Sequence, residues 1–143
     1  MGETRSILVV DGSESMTAML QRFLHQQHVG VWTAGSVAEA QRLVGHHPFD
    51  VVLTDLFLPH RDGLALLRHV RHVAPHTRVV VMAAFGSPDL QQHLLREGAY
   101  ACMAKPFRLH QLWHVVQQAW HEVSPQPAPP APTSVPAPDA LQP

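Results

Sequence analysis

Three side chains able to do chemistry each stand at the end of a short apolar run: Asp11 after "ILVV", Asp55 after "VVLT", and Lys105 after "ACMA", just ahead of Pro106. Two carboxylates gathered in one place repel each other, so their meeting implies a cation. Hard oxygen ligands suit Mg²⁺, which keeps several waters and takes phosphate oxygens readily. A carboxylate flanked by such an ion and by an ammonium can attack a phosphoryl group, because both cations offset charge on the transferring oxygens. One acid at one strand end is an ordinary loop residue; three matched positions at three strand ends read as a site.

The elements that must position these groups alternate along the chain. The runs 6–10, 29–34, 50–55, 78–83 and 99–104 are short and apolar or β-branched, as expected of strands covered on both faces. Between them the spacing becomes helical: Met16, Met19, Leu20, Phe23 and Leu24 share one helix face, and Leu112, Val115, Val116, Ala119, Trp120 and Val123 form a later stripe. Ser36 with Glu39 makes a capping box, and Ser87-Pro88 places a cap residue before proline at the first helical position. This βα alternation argues for an α/β fold with a parallel sheet and right-handed crossovers. With the strands ordered 2-1-3-4-5, the first and third are neighbours at the switch point, and the two acids and the lysine meet in the crevice beyond the carboxyl ends.

Composition bounds the function. At 143 residues, 45% of them hydrophobic, the chain can bury one sizeable core, and residues 1–123 are expected to form it. A formal charge of −1 leaves no footprint for nucleic acid or an anionic membrane, and no apolar run approaches the roughly 18 residues of a membrane span. The lone Cys102 excludes an internal disulfide and fits a reducing compartment, so the expected address is cytoplasmic. "MGETRS" matches a myristoylation pattern, but Ile7 already begins a strand. Residues 124–143 hold eight of the thirteen prolines and no periodic apolar face, and are expected to be a disordered Pro/Ala-rich tail or linker.

"ILVVDG", "DVVLTDLFLPHRDG", "RVVVMAAFGS" and "GAYACMAKPF" resemble, in order and spacing, the receiver domain of two-component response regulators. The resemblance covers about residues 5 to 122; its most specific parts are D-x-x-x-P-x-x-D-G at 55–63 and K-P-F at 105–107. It implies a flavodoxin-like (βα)5 fold and a role in phosphorelay signalling. Asp55 would accept phosphate from the phosphohistidine of a sensor histidine kinase or phosphotransfer protein. Asp11, Asp55 and the backbone carbonyl of Phe57 would then hold Mg²⁺, Lys105 would pair with the phosphoryl group, and the Lys105–Pro106 bond would be cis. A true enzyme is not expected. An aspartate-nucleophile phosphatase usually carries D-x-D, whereas Phe57 stands two residues after Asp55, and no Gly-rich nucleotide loop follows the first strand.

The sequence departs from the receiver pattern at three positions. Where the family has a second acid after the first strand stands Gly12, which offers no side-chain oxygen, so Mg²⁺ binding is expected to be weak and to recruit Ser13, Glu14 or extra water. Ala83 replaces the Thr or Ser whose hydroxyl bonds the phosphoryl oxygen, and Cys102 replaces the aromatic that swings inward with it. The set describes an atypical receiver. Its alternative reading is a phosphorylation-independent pseudo-receiver, a protein-protein interaction module. The expected contact face is the fourth helix, fifth strand and fifth helix, with Trp113 and Trp120 as anchors for a protein partner or a second copy. His110, His114, Gln117 and His121 lie opposite the buried arc of the last helix and are expected to be solvated; His110 and His114 have metal-ligand spacing but lack a carboxylate or thiolate beside them.

Overall fold

A computed structural model describes residues 5–58, 61–84 and 88–121. Five parallel strands, β1 (Ser6–Val10), β2 (Gly30–Ala34), β3 (Val51–Asp55), β6 (Arg78–Ala83) and β7 (Ala101–Ala104), form one sheet in the order β2-β1-β3-β6-β7. Counting these five alone, that is the expected 2-1-3-4-5, and the fold is flavodoxin-like α/β. The unanticipated elements are β4 (Phe57–Leu58) and β5 (Arg61–Asp62), a two-residue antiparallel ladder just after β3. The described residues also form five helices: α1 (Glu14–Gln26), α2 (Val37–His46), α3 (Gly63–Val73), α4 (Pro88–Arg96) and α5 (Leu109–His121). Ser87, Pro59, Val123, the opening "MGET" and the proline-rich 124–143 lie outside the described residues.

Alternation along each strand sorts the core into two layers. Ile7 and Val9 of β1 face one way, into a cluster closed by Leu20 and Leu24 of α1 and by Leu112, Val116 and Ala119 of α5. Leu8 and Val10 face the other way, against Val37, Ala40 and Leu43 of α2, Leu66, Leu67 and Val70 of α3, and Leu94 of α4. Helix starts follow from the side chains preceding them. Ser13 caps α1 by accepting the Met16 N–H at 3.2 Å, and Ser36 caps α2 by accepting the Glu39 N–H at 3.2 Å. The Glu39 carboxylate reaches back to the Gly35 N–H at 3.0 Å, closing the predicted box one residue early.

Candidate functional site

The crevice is set by strand register. Pairing Val10 with Thr54 puts the residues that follow, Asp11 and Asp55, at adjacent strand ends. Lys105 follows β7, two strands from β3, where its backbone N–H donates to the Ala83 carbonyl at 2.8 Å. Two strand spacings are about 10 Å, so only a long side chain carries charge from β7 to β3, and it must pass over β6, whose last residue is the small Ala83. The Lys105 ammonium ends 3.1 Å from Asp11 Oδ2 and 3.3 Å from Asp55 Oδ1. The two acids and the lysine therefore meet as the sequence predicts, and the Lys105–Pro106 peptide is cis.

The two acids differ in their surroundings. Asp11 is 3% exposed, and besides Lys105 it accepts the Ser13 N–H at 2.8 Å through Oδ1, while its carbonyl accepts the Thr17 hydroxyl at 3.2 Å. Both carboxylate oxygens are thus held by the start of α1 and by Lys105. The Asp55 carboxyl is pushed above the usual aspartate range, mainly by burial; Lys105 opposes the shift, Asp11 adds to it, and the Phe57 N–H opposes it again. A raised pKa means the fold binds this proton more tightly than the unfolded chain does. The charged carboxylate therefore opposes folding above the raised value, and that penalty vanishes as pH falls below the unfolded value. Asp55→Asn is accordingly expected to raise the melting temperature at pH 7 and to flatten the gain in stability on mild acidification; an unchanged or lower melting temperature would contradict this electrostatic picture.

Behind Asp55 the chain has no room. A methyl group on Gly63 would stand 2.5 Å from the Asp55 carbonyl oxygen and 2.9 Å from the Leu56 Cα. Gly63 also extends the base of the β4–β5 ladder by donating its N–H to the Leu56 carbonyl. Backbone cannot yield as a side-chain tip can, so Gly63→Ala is expected to cost about 1–3 kcal/mol in urea denaturation. The same substitution should displace the Asp55 loop; a cost below about 0.5 kcal/mol would show that the loop gives way freely.

The carboxylates of Asp11 and Asp55 and the carbonyl of Phe57 are hard oxygens, and they fit a small divalent cation in kind. They are one carboxylate short. Gly12 is exposed, the Ser13 hydroxyl oxygen is engaged as the α1 cap, and Glu14 is exposed as the first residue of α1. Among the described residues, no group of three histidine, cysteine or acidic side chains is placed to hold a metal, so His110 and His114 stand as a solvent-exposed pair.

Near the lysine, Ala83 is 1% exposed and supplies only a methyl group. Cys102 is half-buried and packs on the α2–α4 layer, with Sγ 4.0 Å from the Gln91 carbonyl of α4. Burial pushes its thiol up to about 11, so it is a neutral packing residue at pH 7. One expectation is corrected here. Trp120 is 7% exposed and belongs to the α1–α5 core, so it is not available as a surface anchor. The wide apolar arc of α5 is used internally: Trp113 meets Trp120 edge-on at 5.3 Å and Phe23 of α1 at 6.3 Å. Trp113 is half-buried on the flank of α5 that faces α1, and Leu95 of α4 is 46% exposed.

A doubly wound parallel sheet with its polar crevice at the carboxyl ends defines the class of domain. Within that class, the chain belongs to the response regulator receiver domains, whose family pattern matches residues 7–117. It is 33% identical over 112 residues to the response regulator protein PilR of Pseudomonas aeruginosa, covering 78% of this chain and 25% of that protein. It is 27% identical to sporulation initiation phosphotransferase F of Bacillus subtilis, covering 78% of this chain and 90% of that one. The chain thus spans about a quarter of PilR, and likewise 26% of the transcriptional regulator NtrC of Azospirillum brasilense. Among solved structures, the beryllofluoride-activated NtrC4 receiver domain dimer superposes with a TM-score of 0.79 at 28% identity, covering 83% of this chain and 98% of that one. A Burkholderia pseudomallei response regulator protein, solved with a phosphorylated aspartic acid, a calcium ion and citrate, superposes at 0.75 with 26% identity, covering 82% and 69%.

Proposed function

We propose that this domain, spanning residues 1–123, is a phosphoacceptor of a two-component relay in which Asp55 takes the phosphoryl group and the usual internal readout is absent. The observation that carries the reading is the single Lys105 ammonium within 3.3 Å of both Asp11 and Asp55. In the transfer, a carboxylate oxygen of Asp55 bonds to phosphorus as the bond from phosphorus to the donor's imidazole nitrogen breaks. Lys105 offsets charge on the transferring oxygens, and Asp11 keeps the ammonium in place. Asp11, Asp55 and the Phe57 carbonyl would hold Mg²⁺, weakly for want of an acid at position 12; when bound, the ion supplies further charge neutralisation at the phosphoryl oxygens.

The donor would be a sensor histidine kinase or phosphotransfer protein in the cytoplasm, and no helix among the described residues is long and apolar enough to cross a membrane. Protein contacts, including self-association of the kind named for the NtrC4 receiver dimer, would use the α4–β7–α5 edge, with Leu95 as an exposed apolar point; nucleic acid is not an expected partner. The proline-rich residues 124–143 would serve as tail or linker. Incubation with a small acyl-phosphate donor should add one phosphate to the intact mass of the chain and none to Asp55→Asn. A folded wild-type chain that gains none would overturn the proposal. That result would favour the second reading, a pseudo-receiver that binds partners without phosphate, which draws on Ala83 and Cys102: neither can make the hydroxyl-and-aromatic movement.

A further inference from the structure

The pole opposite the crevice holds a charged cluster that the phosphoacceptor reading does not use. Arg5, just before β1, places Nη1 3.2 Å from the Trp120 carbonyl oxygen and 3.5 Å from Asp50 Oδ1, and its guanidinium carbon stands 5.5 Å from the centre of a Trp120 ring. Asp50 is 2% exposed and also accepts the Ser6 N–H at 2.9 Å. The Trp120 carbonyl is among the last four of α5, which have no partner within the helix, so a guanidinium donor there caps the helix and meets the negative end of its dipole. One side chain thus joins the end of α5 to the start of β1 and, through Asp50, to the start of β3. Arg5 and Trp120 both lie outside the stretch 7–117 that matches the receiver family.

We infer that Arg5 is a positioning latch: it holds the last turn of α5 in place against the starts of β1 and β3. In sequence the chain runs on past His121 through residues 122–143. The inference does not depend on whether Asp55 accepts phosphate.

The decisive variant is Arg5→Met/Asp50→Asn in the full chain, which removes the guanidinium together with the carboxylate charge it faces. Hydrogen exchange should quicken by roughly tenfold or more at Ala119, Trp120 and His121 relative to Val52 and Leu53 of the central strand. With Cys102→Ser, spin labels at the exposed positions of His76→Cys and His121→Cys should report a narrow distance distribution when Arg5 is present and a broad one in the variant. Unchanged exchange at the end of α5 with an equally narrow distribution would overturn the latch. So would equal acceleration in β3, because Arg5 would then be holding the fold as a whole and not the last turn of α5.

Discussion

Lys105→Met slows phosphate uptake from a small acyl-phosphate donor by about 10²–10³-fold, the usual loss when one preorganised electrostatic group is removed. Two effects act in the same direction. Charge on the transferring oxygens loses its nearest fixed cation, and the Asp55 carboxyl, which burial pushes up, loses the neighbour that favours its charged form. Methionine keeps the length of the stem but leaves Asp11 and Asp55 facing each other without an ammonium, and the melting temperature falls with the rate. Initial rates from intact mass, measured on protein shown to be folded, check this. A loss of less than tenfold would remove Lys105 from the transfer and leave it as a structural counter-ion.

Gly12→Asp works in the other direction. It returns a carboxylate beside Asp11, at a position that is exposed, so the new side chain meets water and not the core. Supplying the missing hard ligand should tighten Mg²⁺ binding by about 10–100-fold, the scale on which groups around a metal site tune its affinity. The Mg²⁺ concentration for half-maximal phosphate uptake should fall accordingly. Titration calorimetry of wild type and variant, each repeated with Asp55→Asn, measures the shift. Equal affinity for the two chains would mean that the site already draws its full ligand set from Asp11, Asp55, the Phe57 carbonyl and water.

Much of this arrangement was legible in the sequence because its physics is local. Runs such as "VVLT" are β-branched and buried on both faces, and they end where a carboxylate follows, so the strands could be anticipated from them; their order, and with it the meeting of Asp11, Asp55 and Lys105, followed from the receiver resemblance. The β4–β5 ladder could not. Two-residue strands carry no periodicity, and Phe57 within them is 64% exposed, the reverse of a strand signal. Trp120 misled for a different reason. A helical wheel measures the width of an apolar arc but not what covers it, and here the extra width is filled by Trp113 and Phe23, brought in from α1 by the fold. The Arg5–Asp50 pair and the crowding behind Gly63 were likewise invisible, the first because the partners are far apart in sequence and the second because it depends on backbone approach. Gly63 did leave a trace, as the glycine of the D-G pair after Pro59.

On the proposed reading, Asp55 takes phosphate while the route from the crevice to α4 and β7 lacks the hydroxyl and the aromatic that would move. The most direct test compares amide spectra of the chain before and after phosphorylation, with Asp55→Asn as the control. Changes should be confined to the crevice, at Asp11, Gly12, Ser13, the loop from Asp55 to Leu58, and Lys105, with α4 and Ala101 to Met103 left in place. Changes spreading through Leu94, Leu95 and Cys102 would contradict it, and would mean that this receiver switches through α4 and β7 without the hydroxyl and the aromatic.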